Sequence, residues 1–82
     1  MKFDYLPTGV CSKQINFEVE DDIVKDVCFI GGCAGSLKGI SNLAKGMETE
    51  QVIERLENIT CGEKSTSCPD QFAKALRDLK NV

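Results

Sequence analysis

The side chains of this chain with the strongest capacity for chemistry are its five cysteines, Cys11, Cys28, Cys33, Cys61 and Cys68, and no histidine accompanies them. Without imidazole there is no ordinary general base near neutral pH, and any metal is held mainly by sulfur. The sharpest local signal is Thr66-Ser67-Cys68-Pro69-Asp70. Pro69 suits the first position of a helix, which places Cys68 at the N-cap and Asp70 in the first turn. A cysteine there faces free backbone N–H groups and the positive end of the helix dipole, and both favour thiolate over thiol. The thiolate is the form that binds metals and attacks disulfides.

Spacing leaves three readings open. Four thiolates complete a tetrahedral zinc or iron site, or ligate an iron–sulfur cluster. The close pairs are Cys28/Cys33, with four residues between, and Cys61/Cys68, with six, so a site must be assembled from distant segments rather than from Cys-x-x-Cys knuckles. The second reading is a thiol relay, with Cys68 as the reactive thiolate exchanging with Cys61 or Cys33. The third is a plain interaction domain with inert cysteines. Asp70 reads as a helix-start residue, since acids are favoured in a first turn for dipole reasons alone. Gly31-Gly32-Cys33-Ala34-Gly35 lacks the Gly-Lys-Ser/Thr ending of a phosphate loop and reads as a tight turn. Glu18, Glu20, Asp21 and Asp22 lack calcium-loop spacing and read as a solvated hairpin tip.

The elements that must position these cysteines follow from periodicity. An extended segment through Phe3 and Tyr5 breaks at Pro7-Thr8-Gly9. From Lys13 to Glu20, Ile15, Phe17 and Val19 alternate with Gln14, Asn16 and Glu18, the pattern of a strand with one wet face. Ile23 to Ile30 is an apolar, β-branched run that pairs back as a hairpin, with Cys28 inside it and read as a core side chain. A helix follows with Leu37, Ile40, Leu43 and Met47 as its apolar stripe, Ser36 as cap and Gly46 as stop. A second, capped by Thr49, buries Val52, Ile53, Leu56 and Ile59. The last, Pro69 to about Lys80, buries Phe72, Ala75, Leu76 and Leu79. Strands first and helices after predict a single α+β domain over residues 1–82, a small antiparallel sheet of about three strands covered on one face by three helices. Cys11, Cys33, Cys61 and Cys68 then fall in loops or at element ends, whereas Cys28 lies within a strand.

Composition narrows the function classes. With 41% hydrophobic and 28% charged residues, the chain of 82 residues reads as an ordinary soluble domain. It lacks an apolar run of bilayer length, and Met1-Lys2-Phe3-Asp4-Tyr5 lacks the core of a signal peptide, so a cytoplasmic protein with no membrane partner is expected. In that reducing compartment, five cysteines point to metal or redox thiols rather than structural disulfides. A net charge of -3 without a basic cluster argues against nucleic acid as partner.

Thr66-Ser67-Cys68-Pro69-Asp70, together with Gly9-Val10-Cys11-Ser12, Gly31-Gly32-Cys33-Ala34-Gly35, the helix from Gly39-Ile40 to Gly46, and Cys61, resembles the TSCPD-domain family over nearly the whole chain. The resemblance implies a small four-cysteine protein in which Cys11, Cys33, Cys61 and Cys68 bind zinc, with iron or an iron–sulfur cluster as the alternative. The same domain ends cobalamin-dependent ribonucleotide reductases, and small members carry a ribonucleoside-diphosphate reductase label. That label implies an accessory role in deoxynucleotide (DNA) biosynthesis, with a ribonucleotide reductase or another redox protein as partner. It does not imply a complete enzyme, because 82 residues leave no room for the barrel and radical source. Nucleotide binding comes with the label and is matched by no residue here. A fainter similarity runs to iron–sulfur scaffold proteins in the order of elements, but Gly35 stands where scaffolds carry aspartate and Ser67 where they carry histidine.

Overall fold

Alternation along Ser12–Glu20 and the β-branched run after it fold as a tight hairpin. The two-residue connection, Asp21 and Asp22, has φ of 54° and 62°. Two consecutive left-handed residues match the right-handed twist of the flanking strands, and aspartate is among the side chains that tolerate that conformation. The pair Asn-Gly is better suited still. Asp21→Asn combined with Asp22→Gly is therefore expected to stabilise the chain by about 0.5 kcal/mol, read as a higher urea midpoint at unchanged slope.

The computed structural model describes residues 2–7, 9–10, 12–31, 34–60 and 65–80. In chain order the elements are β1 (Lys2–Tyr5), β2 (Ser12–Glu20), β3 (Ile23–Gly31), α1 (Ala34–Ala44), α2 (Thr49–Leu56) and α3 (Cys68–Lys80). The sheet is antiparallel in the order β1-β2-β3, with Tyr5 opposite Ile15 and Ile15 opposite Phe29. The fold is the expected α+β arrangement. No helix among the described residues is long and apolar enough to cross a membrane.

The helices cover one face of the sheet. Phe72 of α3 is fully buried and sets its ring edge against Phe17 at 5.5 Å and Phe29 at 5.9 Å, while Phe17 stacks on Phe3 at 5.4 Å. Ile15, Val24, Val27, Ala44, Val52, Ile53, Ala75 and Leu76 complete the core. α2 is tied to the hairpin end by backbone bonds, Val24 N to Met47 O and Thr49 N to Asp22 O. Arg77 of α3 donates to the Glu57 carboxylate just past α2.

Two register shifts reset which residues face the core. Lys13 and Lys25 have no opposite residue in the β2–β3 ladder. An extra residue in one strand reverses the alternation beyond it. Val24 and Val27 are consequently both buried on β3, and Ser12 is turned to the helix side with Ile15.

Several local expectations are corrected. Cys28 is exposed rather than in the core, on the sheet face opposite Val27, which no helix among the described residues covers. α1 begins at Ala34, so Ser36 lies within the helix and not at its cap. Leu37 and Ala44 bury that helix, whereas Leu43 is 77% exposed. The N-cap of α2 is Glu48, not Thr49, whose own N–H is engaged by Asp22. α2 ends at Leu56, leaving Ile59 exposed beyond it. Gly46 does end the first helix, with φ of 87°.

Candidate metal centre

The start of α3 is set by Ser67 rather than by Cys68. Ser67 O accepts the first helical bond, from Gln71 N at 2.9 Å, and its Oγ accepts from Asp70 N at 3.1 Å. Ser67 is therefore the N-cap, with Cys68, Pro69 and Asp70 as the first three helical residues, so the helix starts one position earlier than the sequence expectation. A hydroxyl is the better cap acceptor, and proline is accommodated one place deeper because first-turn N–H groups have no intrahelical partner to lose. The same Ser67 hydroxyl donates to Ile59 O at 2.6 Å, closing the base of the segment between α2 and α3.

Asp70 locks that closure. The residue is 1% exposed. Oδ1 accepts from Asn58 N at 2.7 Å, and Oδ2 accepts from Thr66 Oγ1 at 2.5 Å and faces Lys74 Nζ at 3.1 Å. Thr66 Oγ1 accepts in turn from Gln71 Nε2 at 3.0 Å. Asn58, with φ of 66°, holds the left-handed position past the end of α2, which aims its N–H at the carboxylate. Burial works to raise the carboxyl's pKa, but the Thr66 hydroxyl, the Asn58 N–H and the Lys74 ammonium outweigh it and hold it below the ordinary value. Asp70 is thus a structural anchor as well as a first-turn acid.

The sign of its pH dependence follows. A carboxyl depressed in the folded state contributes stability that is fully present above the unfolded pKa of ~3.9 and is lost as pH falls through the folded value. In urea titrations of metal-free protein, the stability gap between wild type and Asp70→Asn is expected to stay constant above about pH 5 and to shrink below about pH 4. A gap that widens on acidification contradicts this assignment.

Cys68 is half-buried at the mouth of this helix, and its Sγ accepts from Ser12 Oγ at 2.8 Å. Ser12 is 4% exposed and pairs with Gly31 across the β2–β3 ladder. Two residues before Cys11, Gly9 (φ 70°) lies against Thr66, where an added Cβ would stand 3.5 Å from Thr66 Cγ2. Residues on both sides of Cys11 therefore lie near the 66–68 stretch, and Gly31, two residues before Cys33, sits opposite Ser12. The Cys61 segment leaves from and returns to points tied together by Ser67 and Asp70. Cys11, Cys33 and Cys61 themselves lie outside the described residues, and among the described residues no group of three or more potential ligands is present. Cys28, exposed and paired with Asn16 mid-strand, is separate from this end.

The sequence reading missed Ser12, Thr66 and Asn58. Ser67-x-x-Asp70 has capping-box spacing, which is the signal that would have moved the cap from Cys68 to Ser67. For Ser12 no local signal exists, since its face depends on the unpaired Lys13.

A family model described as the TSCPD domain covers residues 1–80 of the chain. No curated protein and no solved structure matches it.

Proposed function

Since the chain belongs to the TSCPD domain family, we propose that it is a small metal-binding accessory module in which Cys11, Cys33, Cys61 and Cys68 hold one zinc or iron ion. The single observation that carries this reading is the Ser12–Cys68 hydrogen bond at 2.8 Å, because it joins the residue next to Cys11 to the sulfur of Cys68 while Ser12 also faces Gly31. The donor set fits the ion: thiolates suit zinc and iron, and a sulfur that accepts a hydroxyl hydrogen is being used as an acceptor, the role a metal-bound thiolate keeps for its outer partners. When bound, such an ion would cross-link segments distant in sequence and add to the stability of a small core.

The chain's own residues do the positioning. Ser67 and Asp70 close the segment carrying Cys61, and Ser12 orients Cys68. The role in deoxynucleotide synthesis, beside a ribonucleotide reductase or another redox protein, rests on the family resemblance alone.

Elemental analysis of protein purified without chelator tests the site. About one equivalent of zinc or iron per chain is expected, retained in Cys28→Ser and lost when Cys11, Cys33 or Cys61 is replaced by serine. Loss of metal in Cys28→Ser, or its retention in all of the others, overturns the assignment.

A further inference from the structure

A strand edge left open pairs readily with other chains, and β1 and β3 are the two edges of this sheet. The β1 edge is four residues long and carries Lys2, and short edges bearing lysine pair poorly. The β3 edge is nine residues long. Its start is occupied by the chain itself. Val24 N donates to Met47 O at 2.9 Å, Val24 O accepts from Gly46 N at 2.8 Å, and Ile23 bridges to Glu48. Backbone groups alternate between the two sides of an antiparallel strand, and the unpaired Lys25 shifts that alternation, so the next residues whose groups point off the sheet are Val27 and Phe29. Among the described residues, no backbone group outside the sheet bonds to either of them.

The N–H of Val27 goes instead to a side chain. Asp26 Oδ1 accepts from it at 3.0 Å, and Nζ of Lys45, the residue after α1, stands 3.3 Å from the same oxygen. As a source of stability this ion pair is weak, since the Lys45 and Asp26 side chains are 47% and 60% exposed. Its position distinguishes it. The pair fills the first hydrogen-bonding place that the turn at 46–48 leaves free, and it sets charge where an added strand would lie.

We infer that Asp26 and Lys45 form a clip that closes the β3 edge to strand addition, and that the strand it excludes is β3 of a second copy of the chain. Two β3 strands are self-complementary about a two-fold axis through Cys28. Val27 of each copy then exchanges backbone bonds with Phe29 of the other, and the exposed Cys28 side chains stand directly opposite as a non-hydrogen-bonded pair. The Cα atoms of such a pair are about 4.5 Å apart, within the ~4.4–6.8 Å that a disulfide spans. Room for the added strand exists beside the edge, in a groove of about 370 Å³ lined by Val27 and Phe29 on one side and by Lys38 and Asn42 of α1 on the other.

Sedimentation of the whole chain over a range of concentrations in reducing buffer tests the clip. Wild type is expected to stay monomeric. Asp26→Ala changes an exposed side chain, leaves the circular dichroism spectrum intact, and is expected to self-associate at least about tenfold more tightly. Lys45→Ala leaves the carboxylate on Val27 but without its ammonium partner, and a smaller shift in the same direction is expected. Oxidised glutathione then locates the contact. Two Cys28 thiols give up their hydrogens and join as one disulfide, and each oxidised glutathione becomes two reduced molecules. A cross-linked dimer is expected from Asp26→Ala and not from the double variant Asp26→Ala, Cys28→Ser. Equal association of Asp26→Ala and wild type overturns the proposal. So does a dimer of Asp26→Ala that forms without cross-linking through Cys28, or a wild type that cross-links there as readily.

Discussion

Replacing Cys68 by serine is expected to weaken zinc or iron binding by more than about a hundredfold and to remove the part of the folding stability that depends on metal. A structural zinc contributes ~10–16 kcal/mol of apparent binding free energy, as large as the ~5–15 kcal/mol by which a whole domain is stable. The sulfur at this position is the described corner of the proposed site, and a serine hydroxyl is a harder and far more basic donor. Unfolding followed with metal saturating and again with excess chelator isolates the effect. A large gap between wild type and Cys68→Ser is expected in the first condition and a small one in the second. Ser12→Ala removes only the outer partner of that sulfur, and a 10–100-fold loss of affinity is expected from it. A gap of the same size with chelator present means that Cys68 acts through packing, and the metal reading then fails.

Asp70→Ala is expected to cost about 3–5 kcal/mol in metal-free protein, because it removes one partner from a buried, charge-assisted network. Alanine leaves the Asn58 N–H and the buried Thr66 hydroxyl without their acceptor. Lys74 adds little to that figure, since its side chain is 50% exposed and is resolvated when the pair breaks. Asp70→Asn retains the shape and one acceptor oxygen, so a smaller loss is expected. Urea unfolding with chelator reads both variants without any contribution from metal. A loss under about 1 kcal/mol for the alanine variant means that the segment between α2 and α3 is held by something other than this carboxylate.

These two residues are two apart in one motif and do different work. Cys68 offers a sulfur at the open end of the sheet. Asp70 points inward and binds the end of α2 to the start of α3. Acidic residues are common in first turns, so Asp70 taken from sequence reads as a response to the helix dipole. Its burial and its bond to Asn58 arise from residues twelve positions away, which periodicity does not report.

What the sequence determined by itself is what short-range physics controls. The alternation of Ile15 and Phe17, the polar reversal at Asp21 and Asp22, the helical stripe of Phe72, Ala75 and Leu76, and the motif that places the chain in its family all appear within windows of a few residues. What only the tertiary structure decided depends on registers and on which faces find a partner. A strand pattern shows that Cys28 lies opposite Val27 but not which of the two faces the helices cover. The stripe of α1 shows that Leu43 is apolar but not that Ala44 and Leu37 suffice for the core. Ser12 reaches Cys68 only because Lys13 is left unpaired and the alternation turns over before the strand begins. Each is a non-local choice among arrangements that the local pattern permits equally, and packing of the helices on one side of the sheet makes it.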